Sequence, residues 1–225
     1  MSTTSLVYPF TYQVKAGSNV ANPMTTGPVE IARKLLCKPV SYAAVQHQVW
    51  TRFFLENHCT VTMRLLCLTT DLPVIYNWLP WRYTRFLKKE AHIRHLYETY
   101  SCVGDSSSSQ SFLLLLNDAA IGQADVHHAL QDDVSSYYTA SQGDYRLELL
   151  IDPEKEVLDI PQYLLQTCQE FFFSFQEVER LVLLLEEGNP LIQKLEKAGF
   201  RFEARIISAE KTALLYICSR ASMPL

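Results

Sequence analysis

The stretch NPLIQKLEKAGF, residues 189–200, decides how this chain of 225 residues folds. Asn189 offers a side-chain oxygen to a helix-start amide, and Pro190 fixes φ where a missing N–H costs nothing. Leu191, Ile192, Leu195 and Ala198 recur at helical spacing and turn one apolar face inward. Gly199 supplies a conformationally permissive exit. The run before this helix, Arg180–Leu185, is apolar and strand-like. The runs after it, Phe200–Ile207 and Thr212–Ser219, make a hairpin around Ala209–Lys211.

Upstream, Tyr145–Ile151 reads as a central strand closed by Asp152-Pro153. A helix over Pro161–Phe175 follows, with Leu164, Leu165, Cys168, Phe171, Phe172 and Phe175 on a broad buried face. Phe112–Leu116 and Ile121–Ala129 form a hairpin through Asn117-Asp118, a pair suited to turn geometry. Residues 130–143 are polar and aromatic and cross over the outside. Val61–Leu68 alternates as a strand, Asp71 can cap the next helix, Pro80 interrupts that helix, and Arg82–Tyr100 adds further turns. GDSSSSQ at 104–110 is a polar connection.

Residues 1–60 read as an N-terminal extension packed on a main domain of residues 61–225. Within it, Tyr8–Val14 suggests a strand, residues 17–28 a loop and Val29–Leu36 a short helix. Tyr42–Leu55 suggests a second helix carrying Tyr42, Val45, Val49 and Phe53. The element order predicts an α/β fold, a mixed central sheet with helices on both faces.

A hydrophobic fraction of 48% argues against general disorder. Net charge is -4, from 20 basic and 24 acidic residues, so no basic surface for nucleic acid is expected. A small anionic ligand remains compatible with that balance. The six cysteines are scattered without a CxxC pair, and no His/Cys cluster has metal-site spacing, so no metal is expected. MSTTSLVYPF at the N-terminus lacks the pattern of a secretory signal, and no apolar run is long enough to cross a bilayer. Cytoplasmic residence without a membrane partner is the expectation.

Five segments carry a resemblance to the GCN5-related N-acetyltransferase (GNAT) family. They are NWLPWRYTRFL at 77–87, GQADVHHA at 122–129, YYTASQGDYRLELLIDP at 137–153, NPLIQKLEKAGF at 189–200 and AEKTALLYI at 209–217. Residues 61–219 most resemble the siderophore-biosynthesis enzymes that acetylate N-hydroxylysine. The resemblance implies acetyl-CoA or another acyl-CoA as cosubstrate, and an amine or hydroxylamine as the small-molecule partner. A homodimer is the candidate assembly.

The resemblance also implies where the cosubstrate lies. Family members hold its pantetheine arm along the strand matching Leu149, Leu150 and Ile151, and its pyrophosphate on amides before the next helix, here near Lys155, Val157 and Leu158. Asn189 matches a position beside the cofactor arm, although an N-cap role explains it equally well. Tyr216 is placed to protonate a departing thiolate, or else simply to pack in a terminal strand. The family's loop carries glycines and basic residues, whereas PEKEVLDIPQ at 153–162 has no glycine and three carboxylates: Glu154, Glu156 and Asp159. Glycine loss restricts close backbone approach and the carboxylates repel phosphate, so binding is weakened, rerouted or lost.

Acyl transfer needs a proton acceptor for the attacking nitrogen. Glu148 stands where the resembled subgroup has a histidine. Asp125 and His127 lie two apart on a predicted strand and share a face, whereas His128 points to the other side. These three, Glu148, Asp125 and His127, are the candidate catalytic groups, each set against a structural role. Asp144 is a candidate to recognise a cationic amine or else to fix its adjoining loop. Trp78 and Trp81 are candidates to line the acceptor tunnel or to pack in the core. A non-catalytic acyltransferase-like binding domain is the competing reading.

Overall fold

A computed structural model describes residues 48–79, 89–155, 159–207 and 212–222. The readings for Tyr8–Val14, residues 17–28, Val29–Leu36, Trp81, Val157, Leu158 and the Ala209–Lys211 turn lie outside the described residues. Eight strands form one sheet: β1 (Gln48–Phe54), β2 (Cys59–Leu65), β3 (Ser109–Leu116), β4 (Ala119–His128), β5 (Asp144–Ile151), β6 (Arg180–Glu186), β7 (Arg201–Ile207) and β8 (Thr212–Ser219). Their spatial order is β1-β2-β3-β4-β5-β6-β8-β7. Every neighbouring pair is antiparallel except β5 and β6. The helices are α1 (Leu68–Trp78), α2 (Lys89–Asp105), α3 (Ile160–Phe173) and the single turn α4 (Ile192–Leu195).

Period-2 alternation along the strands divides the core between the two faces of the sheet. Val61, Met63, Phe112, Leu114, Ala124, Val126, Leu147 and Leu183 face α3, whose Leu164, Leu165, Cys168, Phe171 and Phe172 are buried against them. The opposite face is shared. Over β3 lie α1 and α2, through Leu72, Ile75, Trp78, Leu96 and Tyr100. Over β6 and β8 lies the segment after β4, through Ala129 and Val134. A polar strip of β4 and β5 separates those two covers.

Local chemistry explains most of the elements. Asn117 and Asp118 both take positive φ, 47° and 67°, the conformation a two-residue hairpin turn requires. Leu79 is extended, as a residue before proline prefers, and α1 ends at Trp78. Asp71 sits one turn inside α1 rather than at its cap, where Cys67 stands. Its carboxylate reaches back to the Cys67 N–H at 2.8 Å and pairs with both terminal nitrogens of Arg64. Gly199 leaves α4 at φ 81°, where a side chain would be strained.

One element is corrected. Residues 48–54, read as part of a helix over Tyr42–Leu55, form β1, which pairs along its length with β2. Among the described residues the sheet therefore begins at Gln48, inside the segment read as an extension. Val49, Trp50, Thr51, Phe53 and Phe54 are β-branched or aromatic and fit a pleated, half-buried surface better than a helix.

Candidate active site

The register of β3, β4 and β5 lays polar side chains out in rows on the face shared by α2. Ser109, His127 and Arg146 are one row of cross-strand partners; Ser111, Asp125 and Glu148 are the next; Leu113, Gln123 and Leu150 are the third. Asp125, His127 and Glu148, read from the sequence as candidates, thus meet in one patch, with Asp125 directly opposite Glu148. All three are buried. His128 lies on the other face, edge-on to Tyr145.

Hydrogen bonds tie the rows together. The Arg146 guanidinium donates through Nη1 to both oxygens of Asp132, at 2.9 and 3.0 Å, and through Nη2 pairs with Glu148. His127 Nδ1 meets Ser109 Oγ at 2.8 Å. Gln123 donates to Asp125 at 2.8 Å and to the Tyr100 hydroxyl at 2.5 Å, joining α2 to the carboxylates. Burial pulls the His127 imidazole down to about 4; Asp132 opposes that shift and Arg146 adds to it. The ring is therefore neutral near pH 7. Burial, then the charge of Asp125, holds the Tyr100 phenol well above its ordinary range, so it keeps its proton.

Tyr100, Ser109, Gln123, Asp132 and Arg146 were not singled out from the sequence. Arg146 and Gln123 were the findable ones, because alternation from Glu148 and from Asp125 puts each on the same face. The others depend on strand register and helix placement.

Three other candidates have different surroundings. Asp144 is fully buried, and its oxygens take bonds from Arg180 Nε (2.7 Å) and Nη2 (2.6 Å), the Tyr138 hydroxyl, and the Ser141 N–H and hydroxyl. A carboxylate so bonded fastens its own loop to Arg180 at the start of β6. Trp78 is buried with Leu72 and Ile75 in the α1–α2 core rather than lining an open tunnel. Tyr216 is buried on the α3 face, across the sheet from Glu148.

An opening lies beside this patch. Strands β5 and β6 pair only through Asp144–Arg180, Tyr145–Leu181 and Arg146–Val182. From Leu147 to Ile151 the β5 edge facing β6 carries no ladder, so the parallel pair splays into a V. Leu149 and Leu150 are half-buried there and Ile151 is buried. Beyond the strand, Lys155 is exposed and its N–H bonds to the Asp152 carbonyl at 2.7 Å. Asn189 Oδ1 accepts the Leu191 N–H at 2.9 Å, a turn just ahead of α4, whose cap position is Leu191. Among the described residues, no group of three or more His, Cys, Asp or Glu side chains is arranged to hold a metal, and no helix is long and apolar enough to cross a membrane.

A mixed sheet whose one parallel pair parts beside buried acid-base groups defines an acyltransferase-like architecture. Residues 67–207, more than half of the chain, match the family described as acetyltransferase (GNAT) domain, and the chain belongs to that family. No curated protein matches it. Solved structures do. An uncharacterized protein from Bacillus halodurans superposes with a TM-score of 0.66 at 17% identity, over 77% of this chain and 91% of that one. The aminoglycoside acetyltransferase AAC(6')-Ib in complex with coenzyme A gives 0.61 at 22% identity, over 72% and 96%. RimJ from Mycobacterium smegmatis, in complex with CoA-disulfide, gives 0.56 at 12% identity, over 74% and 85%. At these identities the likeness is one of fold.

The family implies acyl-CoA as cosubstrate, and the two halves of that molecule fit this chain unequally. The unpaired β5 edge suits an extended, amide-containing arm. The loop after it has no glycine over 152–162 and carries the carboxylates of Asp152, Glu154, Glu156 and Asp159.

Proposed function

We propose that the chain is an N-acyltransferase that moves an acetyl or related acyl group from acyl-CoA to an amine, with an N-hydroxylated lysine side chain of siderophore biosynthesis as the narrower acceptor. The observation that carries this reading is the meeting of Asp125, His127 and Glu148 beside the β5–β6 opening. The acceptor nitrogen attacks the thioester carbon and gives up its proton; the C–S bond breaks and the sulfur takes a proton. Glu148, Asp125 and His127 are the groups gathered here to receive the proton leaving nitrogen, His127 being neutral by burial and a weaker base for it. Arg146 holds Glu148 and Asp132 in place while this happens. The acceptor's side of the reading rests on the resemblance of residues 77–87 and 137–153 to the siderophore enzymes. Cytoplasmic residence and a homodimer belong to the same proposal.

The test is thiol release from acetyl-CoA with N-hydroxylysine, lysine and a polyamine as acceptors. Release well above hydrolysis, fastest with N-hydroxylysine, is expected. Equal rates across acceptors remove the siderophore assignment, and no release with any amine removes the enzyme. The glycine-free, acidic loop supports one alternative, a GNAT-fold domain that binds a ligand or a protein without turnover. Saturable CoA binding without thiol release is the result that selects it.

A further inference from the structure

We propose that Asp132, on the crossover after β4, is a positioning residue for the acid-base cluster: by holding one arm of the Arg146 guanidinium, it keeps Glu148 competent to take a proton. This rests on the acyltransferase reading with Glu148 as proton acceptor, and adds the group that sets its basicity. Residues 130–143 read from the sequence only as an outer connection, yet they deliver a carboxylate to the polar rows of β4 and β5.

The aim of that carboxylate is fixed by the crossover itself. Ala129 and Val134 are buried with Val182 and Leu215, which seats the connection on β6 and β8. Between them, the Asp132 N–H bonds to the Ala129 carbonyl at 3.1 Å. Its carbonyl accepts the Ser135 N–H at 3.1 Å and the Ser135 hydroxyl at 2.8 Å. Its Oδ1 accepts the Val134 N–H at 2.9 Å, at the start of the turn Asp133–Ser136. The side chain, 11% exposed, is therefore anchored independently of Arg146.

Arg146 then serves two anions, Asp132 through Nη1 and Glu148 through Nη2. A guanidinium given to Glu148 alone would favour its ionised form and make it reluctant to accept a proton. Asp132 offsets that charge inside a buried cluster, where water screens weakly, and its grip on Nη1 keeps the guanidinium from turning wholly to Glu148. The other described groups around Glu148 are Asp125 and His127 on β4 and Tyr100 on α2. Asp125 adds a like charge, whereas His127 and Tyr100 are neutral near pH 7. Arg146 is the cation among these groups, and Asp132 is what divides it.

Asp132→Asn in the full-length protein tests the inference, because the amide oxygen still accepts the Val134 N–H and only the charge is lost. With isotope-labelled glutamate, and Glu148→Gln to assign the signal, the carboxyl titration of Glu148 should move to lower pH in Asp132→Asn. A titration that stays in place or moves upward overturns the inference, with or without turnover. In the thiol-release assay the acid limb of kcat/KM should move the same way, and kcat on the plateau should fall by about threefold to tenfold as the base weakens. In a Glu148→Gln background Asp132→Asn should have no further effect on kcat, and an equal loss in both backgrounds overturns a role exerted through Glu148. Asp132→Ser keeps a capping oxygen without the carboxylate and should reproduce the shifted titration. Lower melting temperatures with an unaltered titration in both variants reduce Asp132 to a fastening of the crossover. A shifted titration without thiol release from any amine overturns the acyltransferase reading and leaves the coupling of Asp132 to Glu148 standing.

Discussion

Asp144 and Glu148 stand on the same strand and the same face, yet their surroundings are opposite in kind. Asp144 lies where β5 and β6 still pair, and five donor contacts from Arg180, Tyr138 and Ser141 close around it. Burial alone would raise its carboxyl; the bonds from Arg180, Ser141 and Tyr138 overcome that and hold it below the usual range. Glu148 lies where the two strands have parted. It shares Arg146 with Asp132 and faces a second carboxylate, Asp125, across the strand pair. The pairing stops at Arg146–Val182, and that boundary separates a fastening from a site that can do chemistry. Like charges placed opposite one another are destabilising, so a fold gains nothing from the Asp125–Glu148 row unless function uses it.

Breaking the fastening should have the largest effect. Asp144→Ala strands the Arg180 guanidinium, the Tyr138 hydroxyl and the Ser141 N–H together, and a loss of about 3–5 kcal/mol is expected in denaturant melts. The adjoining Gly143 is packed so closely that an added Cβ would stand 2.5 Å from Glu179 Cγ, so the seam has little room to relax. A loss below about 1 kcal/mol would show that the seam is not what holds β5 to β6.

The open region should reveal itself through pH. His127 titrates near 6.5 when unfolded and near 4 when folded, so the unfolded chain binds its proton first. Its contribution is fully present above pH 6.5 and is lost as pH falls from there to 4, by about 3 kcal/mol in total. His127→Gln should flatten stability across that window while the wild type declines. Parallel profiles for the two proteins would place His127 outside the buried, neutral role.

Glu148→Gln sharpens the contrast from the catalytic side. Arg146 keeps Asp132 as a partner, so stability should fall by only about 1 kcal/mol. If Glu148 takes the proton, kcat should fall about a hundredfold with KM little changed. Asp125→Asn and His127→Gln, assayed beside it, show which member of the cluster carries the proton. An unaltered rate in all three would reduce the cluster to structure.

Legibility in the sequence follows the same boundary. The hairpin at Asn117-Asp118, the buried face of α3 and the Gly199 exit from α4 were readable because each is fixed by residues close in sequence. β1 was not. Tyr42, Val45, Val49 and Phe53 mimic a helical stripe, and only the pairing of Gln48–Phe54 with β2 settles the conformation. Asp125 and His127 could be found together from strand alternation, and Glu148 from its place in a family motif. That Asp144 is fastened by Arg180, Tyr138 and Ser141 while Glu148 pairs with Arg146 opposite Asp125 could not be read, because the motif presents both as acids on one strand. The enclosing groups, Tyr138, Ser141 and Arg180, arrive from a crossover and from the neighbouring strand.

The smallest effect is expected at Asn189, which lies beyond the open end of β6 and has two readings, one as a helix cap and one beside the cofactor arm. Its Oδ1 already accepts the Leu191 N–H, and α4 is a single turn with few other bonds to hold its start. Asn189→Ala should therefore cost about 1 kcal/mol, and Asn189→Asp, which keeps the capping oxygen, should recover most of it. Pantetheine affinity, measured on the same variants, decides between the readings. If the residue only caps, affinity stays constant in both. If its amide also reaches the arm, affinity drops in both, because alanine and aspartate alike lack the amide N–H. A stability loss confined to alanine with a binding loss shared by both would give Asn189 both roles and extend the open region to the first turn of α4.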